Sequence, residues 1–101
     1  MRIDALYKEG QRFTCWPLRI TYRPSIDTQV LIWAPKSLFK HAVDRNRLRR
    51  QMREAWRLNH NRLEGHWQIA FNYMDKQMQN YKTIEHGFQK AIHIINNHHS
   101  T

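Results

Sequence analysis

Three glycines, three prolines and one cysteine in 101 residues leave little room for several kinds of chemistry. With so few glycines there is no glycine-rich loop to wrap a phosphate, and no flexible linker divides the chain. A single domain over residues 1–97 is expected, with 98–101 as a frayed tail. Cys15 alone cannot form an internal disulfide, which fits a reducing, intracellular compartment. It has no cysteine or histidine partner at a spacing that would make a zinc cage or a thiol–imidazole pair, and it reads as a small core or edge residue. No apolar run approaches the ~20 residues of a membrane span, and no signal-peptide core is present. A cytoplasmic protein follows, with neither a membrane nor a small-molecule substrate as partner. Acidic residues are scarce too, eight against seventeen Lys and Arg. None of them pairs in the manner of a two-carboxylate or two-metal site. Of seven histidines, only His93, His98 and His99 lie near one another. They stand at the carboxyl end without the company that zinc prefers. No catalytic residue and no metal ligand is expected of the chain itself.

What is abundant is positive charge, +9 overall, and it is not spread evenly. The stretch from Lys40 to Arg62 holds eight of the seventeen basic residues against Asp44 and Glu54, and so carries six of the nine net charges. Its periodicity is helical. Leu48, Met52, Ala55, Trp56 and Leu63 fall in one sector of about 100°, the width of a core-facing stripe. Asn46, Arg47, Arg49, Arg50, Arg53 and Arg57 occupy the other side. Good helix formers fill the segment, without Gly or Pro, and a helix from about Val43 to Asn59 would be roughly 25 Å long. A solvated helix face usually mixes signs for i,i+4 pairing. This one stacks arginine over arginine, which favours a polyanionic partner, and the guanidinium fork suits phosphate oxygens.

Along the rest of the chain, Ile3 to Glu9 reads as two helical turns stopped by Gly10. Gln11 to Trp16 reads as a short extended piece before Pro17. Leu18 to Arg23 alternates strictly and predicts a half-buried strand whose polar side carries Arg19 and Arg23. Turn chemistry from Pro24 to Thr28 then predicts Gln29 to Trp33 as its hairpin partner, ended by Pro35. His66 to Tyr73 alternates again, a third strand. Tyr81, Ile84, Phe88, Ala91, Ile92 and Ile95 share one face of a final helix that starts near Gln79 or Asn80 and runs to about Asn97. The order predicts an α+β domain of two layers. Trp33, Trp56, Trp67, Phe71 and Phe88 are assigned to the core. Tyr7, Phe13 and Tyr22 are less committed to the core; they flank the basic helix in sequence, and a base stacked on such a ring is a sequence-tolerant contact.

The run Ala42-Val43-Asp44-Arg45-Asn46-Arg47-Leu48-Arg49-Arg50, continued by Arg53-Glu54-Ala55-Trp56-Arg57, resembles the protein subunit of bacterial ribonuclease P. Tyr7-Lys8-Glu9-Gly10-Gln11-Arg12-Phe13 is similar to that family's aromatic-basic-x-Gly opening, and the likeness extends over nearly the whole chain. The resemblance implies a short helix, a small, mainly antiparallel sheet, a long basic crossover helix in a left-handed βαβ unit, and a C-terminal helix. It implies that a catalytic RNA carries out magnesium-dependent removal of the 5′ leader of precursor tRNA. The magnesium would be held mainly by that RNA, and the protein's partners would be the catalytic RNA and the leader. By position, Arg45, Asn46, Arg49 and Arg53 would line the leader side. Arg47, Arg50 and Arg57 would face the catalytic RNA or the substrate backbone, and Lys36 would add a further RNA contact. Ile3, Tyr7, Phe13 and Tyr22 would be leader-stacking candidates. Ile3 stands where the family commonly has an aromatic, and Lys36-Ser37 where it has paired lysines. The alternative is a non-catalytic basic RNA- or DNA-binding module, such as a ribosome-associated protein.

Overall fold

A computed structural model of the chain describes the backbone of residues 3–99 and the side chains of residues 4–97. The elements in order are α1 (Ile3–Glu9), β1 (Gln11–Cys15), β2 (Leu18–Pro24), β3 (Gln29–Trp33), α2 (Ala42–Asn59), a 3-10 turn (His60–Arg62), β4 (Trp67–Tyr73) and α3 (Tyr81–His99). The long basic helix lies within a residue of its predicted limits. Asn80 starts α3 as its cap, accepting a hydrogen bond at Oδ1 from the Thr83 amide at 2.9 Å.

The four strands form one sheet in the order β1-β2-β4-β3. β2 runs antiparallel to both β1 and β4, whereas β3 runs parallel to β4. The predicted β2–β3 hairpin is therefore incorrect. The true hairpin joins β1 to β2 through Trp16-Pro17, a cis peptide. After Pro24 the chain crosses to the far side of β4, and α2 is the crossover that brings it back. Turn residues between two alternating segments announce a reversal, but they do not say which neighbour each strand will choose. Here β4, arriving late in the sequence, takes the central place.

The register separates two faces. Leu18, Ile20 and Tyr22 oppose Tyr73, Phe71 and Ile69 across the β2–β4 ladder, and all six are buried. Against this face lie Leu48, Met52 and Ala55 of α2 and Ile84, Phe88, Ala91 and Ile95 of α3. These helices and the sheet are the two predicted layers. Gly87 lets α3 come close to the hairpin: a Cβ there would lie 3.1 Å from Leu18 Cδ1 and 3.3 Å from the Cys15 carbonyl oxygen. Cys15 is buried in this layer, and burial pushes its thiol above the ordinary range, the reverse of what a reactive thiolate requires.

On the opposite face stand Arg12 and Thr14 of β1, Arg19, Thr21 and Arg23 of β2, Gln68, Ala70 and Asn72 of β4, and Gln29, Leu31 and Trp33 of β3. α1 packs over β2 on part of this face, where its Leu6 is fully buried. The helix stops as predicted at Gly10, whose amide donates to the Leu6 carbonyl at 2.8 Å. A Cβ at Gly10 would stand 2.5 Å from that carbonyl oxygen and 3.0 Å from the Tyr22 carbonyl oxygen, so only glycine fits.

The far end of α2 is joined to α3 by one buried amide. Asn59 donates from Nδ2 to the Ala55 carbonyl at 2.8 Å and to Glu85 Oε2 at 3.0 Å, and accepts from Gln89 Nε2 at 3.2 Å. Asn59→Ala leaves Glu85 and Gln89 without that partner and is expected to cost about 1–3 kcal/mol. Chemical denaturation of the variant measures it, and an unchanged midpoint would refute this role.

Candidate nucleic-acid interface

The outward side of α2 is set by the residues that dock it. Leu48 and Met52 are fully buried, and Trp56 is half-buried with its ring 5.8 Å from Phe71. With that seam fixed, Asn46, Arg47, Arg50, Arg53 and Arg57 are exposed and Arg49 is half-buried. Asn46, Arg49, Arg50, Arg53, Glu54 and Arg57 line a shallow trough of about 480 Å³ along the helix. Their spacing follows i, i+3, i+4, i+7, so the trough is a continuous stripe, not a chance cluster.

The arginines of the stripe are not equivalent. Arg45 sends Nη1 to the carbonyl oxygens of Phe39 and Lys40, each at 2.8 Å, and so fastens the β3–α2 loop to the first turn of the helix. Arg49 donates to Asn46 Oδ1, which holds its fork along the helix surface. Arg57 forms a bidentate pair with Glu54, Nε to Oε2 at 3.0 Å and Nη2 to Oε1 at 2.6 Å. The hydrogen bond from Arg57 holds the Glu54 carboxyl below its ordinary range. Arg47, Arg50 and Arg53 make no ion pair among the described residues. Together with Arg49, whose partner is the neutral Asn46 amide, they are cations of the stripe without a carboxylate partner among the described residues. Lys36 is exposed on the β3–α2 loop.

The aromatic candidates separate in the same way. Tyr22 shares the core face with Leu18 and Ile20 and is only 4% exposed, held edge-on between Phe13 at 5.5 Å and Trp67 at 5.6 Å. Its hydroxyl donates to Gln11 Oε1 at 3.1 Å, so no ring face is open to a base. Phe13 is half-buried on that same side. Tyr7 is half-buried on the opposite face, its hydroxyl 3.3 Å from Asn72 Oδ1 and 3.1 Å from Nδ2. The side chain of Ile3 lies outside the described residues. Of the two sheet arginines, Arg23 is bound to Glu9 of α1 at 2.8 Å and to Gln68 Oε1 at 2.7 Å. Arg19 is exposed.

Trp33 corrects the sequence reading. Its apolar surroundings in sequence predict a core residue, yet it is 53% exposed and lies on the outer face with Gln29 and Leu31. Strand parity carried the signal, because Trp33 shares it with the polar Gln29. Arg19, Trp33, Leu38 and Asn72 help line a second cavity, of about 370 Å³, at this end of the sheet.

The family model for ribonuclease P matches residues 1–96. This chain belongs to the ribonuclease P protein family. A curated relative, the ribonuclease P protein component of Porphyromonas gingivalis strain W83, is 33% identical over 102 residues, covering 89% of this chain and 74% of the relative. The ribonuclease P protein of Thermotoga maritima superposes with a TM-score of 0.77 at 18% identity, over 95% of this chain and 90% of that one. That of Staphylococcus aureus gives 0.77 at 21% identity, over 91% and 86%. At such identities these two structures speak for the fold alone. Family membership makes the chain the protein component of ribonuclease P, a subunit of an endoribonuclease holoenzyme that acts in tRNA processing. The ribosome-associated alternative finds no support among these matches.

Proposed function

We propose that the outward face of α2 grips the RNA partners of ribonuclease P during 5′ maturation of tRNA. Asn46, Arg49 and Arg53 would hold the single-stranded leader of the precursor, with Arg45 keeping the first helical turn in place for them. Arg47 and Arg50, with Lys36 nearby in the chain, would face the catalytic RNA, and Arg57 would join them as its pairing with Glu54 relaxes. One observation carries this reading: a continuous stripe of arginines, held outward by a buried apolar seam and only partly compensated by carboxylates. Among the described residues no three His, Cys, Asp or Glu side chains come together to hold a metal ion. The magnesium expected for the holoenzyme is assigned mainly to the RNA. No helix among the described residues is long and apolar enough to cross a membrane. With a single, buried cysteine, a cytoplasmic setting is the natural one.

The test is reconstitution with a ribonuclease P RNA at low magnesium, where the protein is expected to restore leader removal. Neutralising about four to six leader phosphates should give a log–log salt slope of roughly −3 to −4 for leader binding. A flat salt dependence, or no gain in cleavage, would refute the proposal.

A further inference from the structure

We propose that Trp33 is a stacking platform for one unpaired base of the RNA leader, a role that rests on the leader reading above. Trp33 closes β3, and its register partner on β4 is Asn72, which in turn pairs with Arg19 on β2. A cation, an amide and an indole thus stand in a row across the open end of the sheet. They line the same cavity of about 370 Å³, with Pro35 and Leu38 along its edge. Each supplies a different part of nucleotide recognition. The indole offers a π face, a sequence-tolerant contact for any base. Arg19 offers charge to a phosphate. The Asn72 amide, fixed by the Tyr7 hydroxyl, offers an adjacent donor and acceptor of the sort that matches a base edge.

The occupant follows from charge and geometry together. A strongly basic protein draws a polyanion to its surface, and a base within a duplex is already stacked, so an open indole selects an unpaired one. Trp16 is equally exposed, at 55%, but it sits in the β1–β2 turn outside the strand ladder, which gives it no aligned polar row. The loop that edges the cavity also leads, along the chain, to the start of the basic helix. Pro35, Ser37 and Leu38 line it, and a few residues on, the Phe39 and Lys40 carbonyls are held by Arg45. In the proposal, an RNA strand stacked on Trp33 follows this loop to the first turn of α2.

The experiment uses the holoenzyme reconstituted with ribonuclease P RNA and compares leader-bearing precursor, the same precursor with single abasic sites along the leader, and leaderless tRNA. Trp33→Ala should weaken binding of the leader-bearing precursor roughly 5- to 150-fold, the loss of one base–aromatic stack. Trp33→Phe should recover most of that loss, and one abasic position should abolish the difference between Trp33→Ala and wild type. Equal loss on leaderless tRNA would overturn the proposal. So would unchanged binding by Trp33→Ala alongside impaired leader binding by an Arg49→Ala, Arg53→Ala variant, although the leader reading would then stand. Unchanged leader binding by both variants would overturn the leader reading as well.

Discussion

Replacing Arg49 and Arg53 together by alanine is expected to weaken holoenzyme binding of leader-bearing precursor tRNA by roughly 30- to 700-fold, and binding of mature tRNA far less. The two side chains stand one turn apart on the stripe of α2, and both line its trough. A hydrogen bond to a charged group contributes about 1.5–3 kcal/mol. Solvent screening of partly exposed side chains lowers each contribution to about 1–2 kcal/mol, so about 2–4 kcal/mol for the pair gives the stated factor. Folding should be little affected, because neither residue is in an ion pair among the described residues and their removal relieves repulsion between neighbouring arginines. Arg57→Ala should lose less than either single change, since its fork is already engaged by Glu54. Equilibrium binding of the two RNAs at one salt concentration decides the matter. Equal losses for both would remove these arginines from the leader.

Phe88→Ala should have the largest effect on stability. Phe88 is fully buried in α3, and its ring stacks on Phe71 of the central strand with centroids 4.3 Å apart at 27°. Removing it leaves a void between the helix layer and the sheet that neither α2 nor β4 can fill without losing its own packing. Such truncations cost about 3–5 kcal/mol, a large part of the 5–15 kcal/mol that typically holds a domain together. A fall in Tm of more than about 12 °C is expected. A shift of only a few degrees would show that the Phe71–Phe88 contact is not central to the core.

The helices were legible because their apolar spacing is regular and their packing obeys it. Leu48, Met52 and Ala55, and likewise Ile84, Phe88, Ala91 and Ile95, are buried where the 3.6-residue period puts them. The strands were legible as segments, but their pairing was not. Alternation assigns parity within a strand and says nothing about which strand lies beside it, so the late arrival of β4 between β2 and β3 was hidden. Parity alone separates Tyr22 from Trp33: Tyr22 alternates in phase with Leu18 and Ile20 and is buried, whereas Trp33 alternates in phase with the polar Gln29 and is exposed. For the arginine stripe the sequence supplied the side of the helix. It did not reveal that Arg45 would be tied to two carbonyls, or Arg57 to Glu54, because those contacts depend on the loop path and on rotamers.

The basic helix is also the connection between two neighbouring strands, anchored at one end by β3 and returned at the other to β4. An element tethered in this way cannot swing out to meet a ligand, nor does it need to be ordered by one. Recognition should then resemble the docking of a rigid ruler, and calorimetric titration should carry little of the heat-capacity signature of a folding transition.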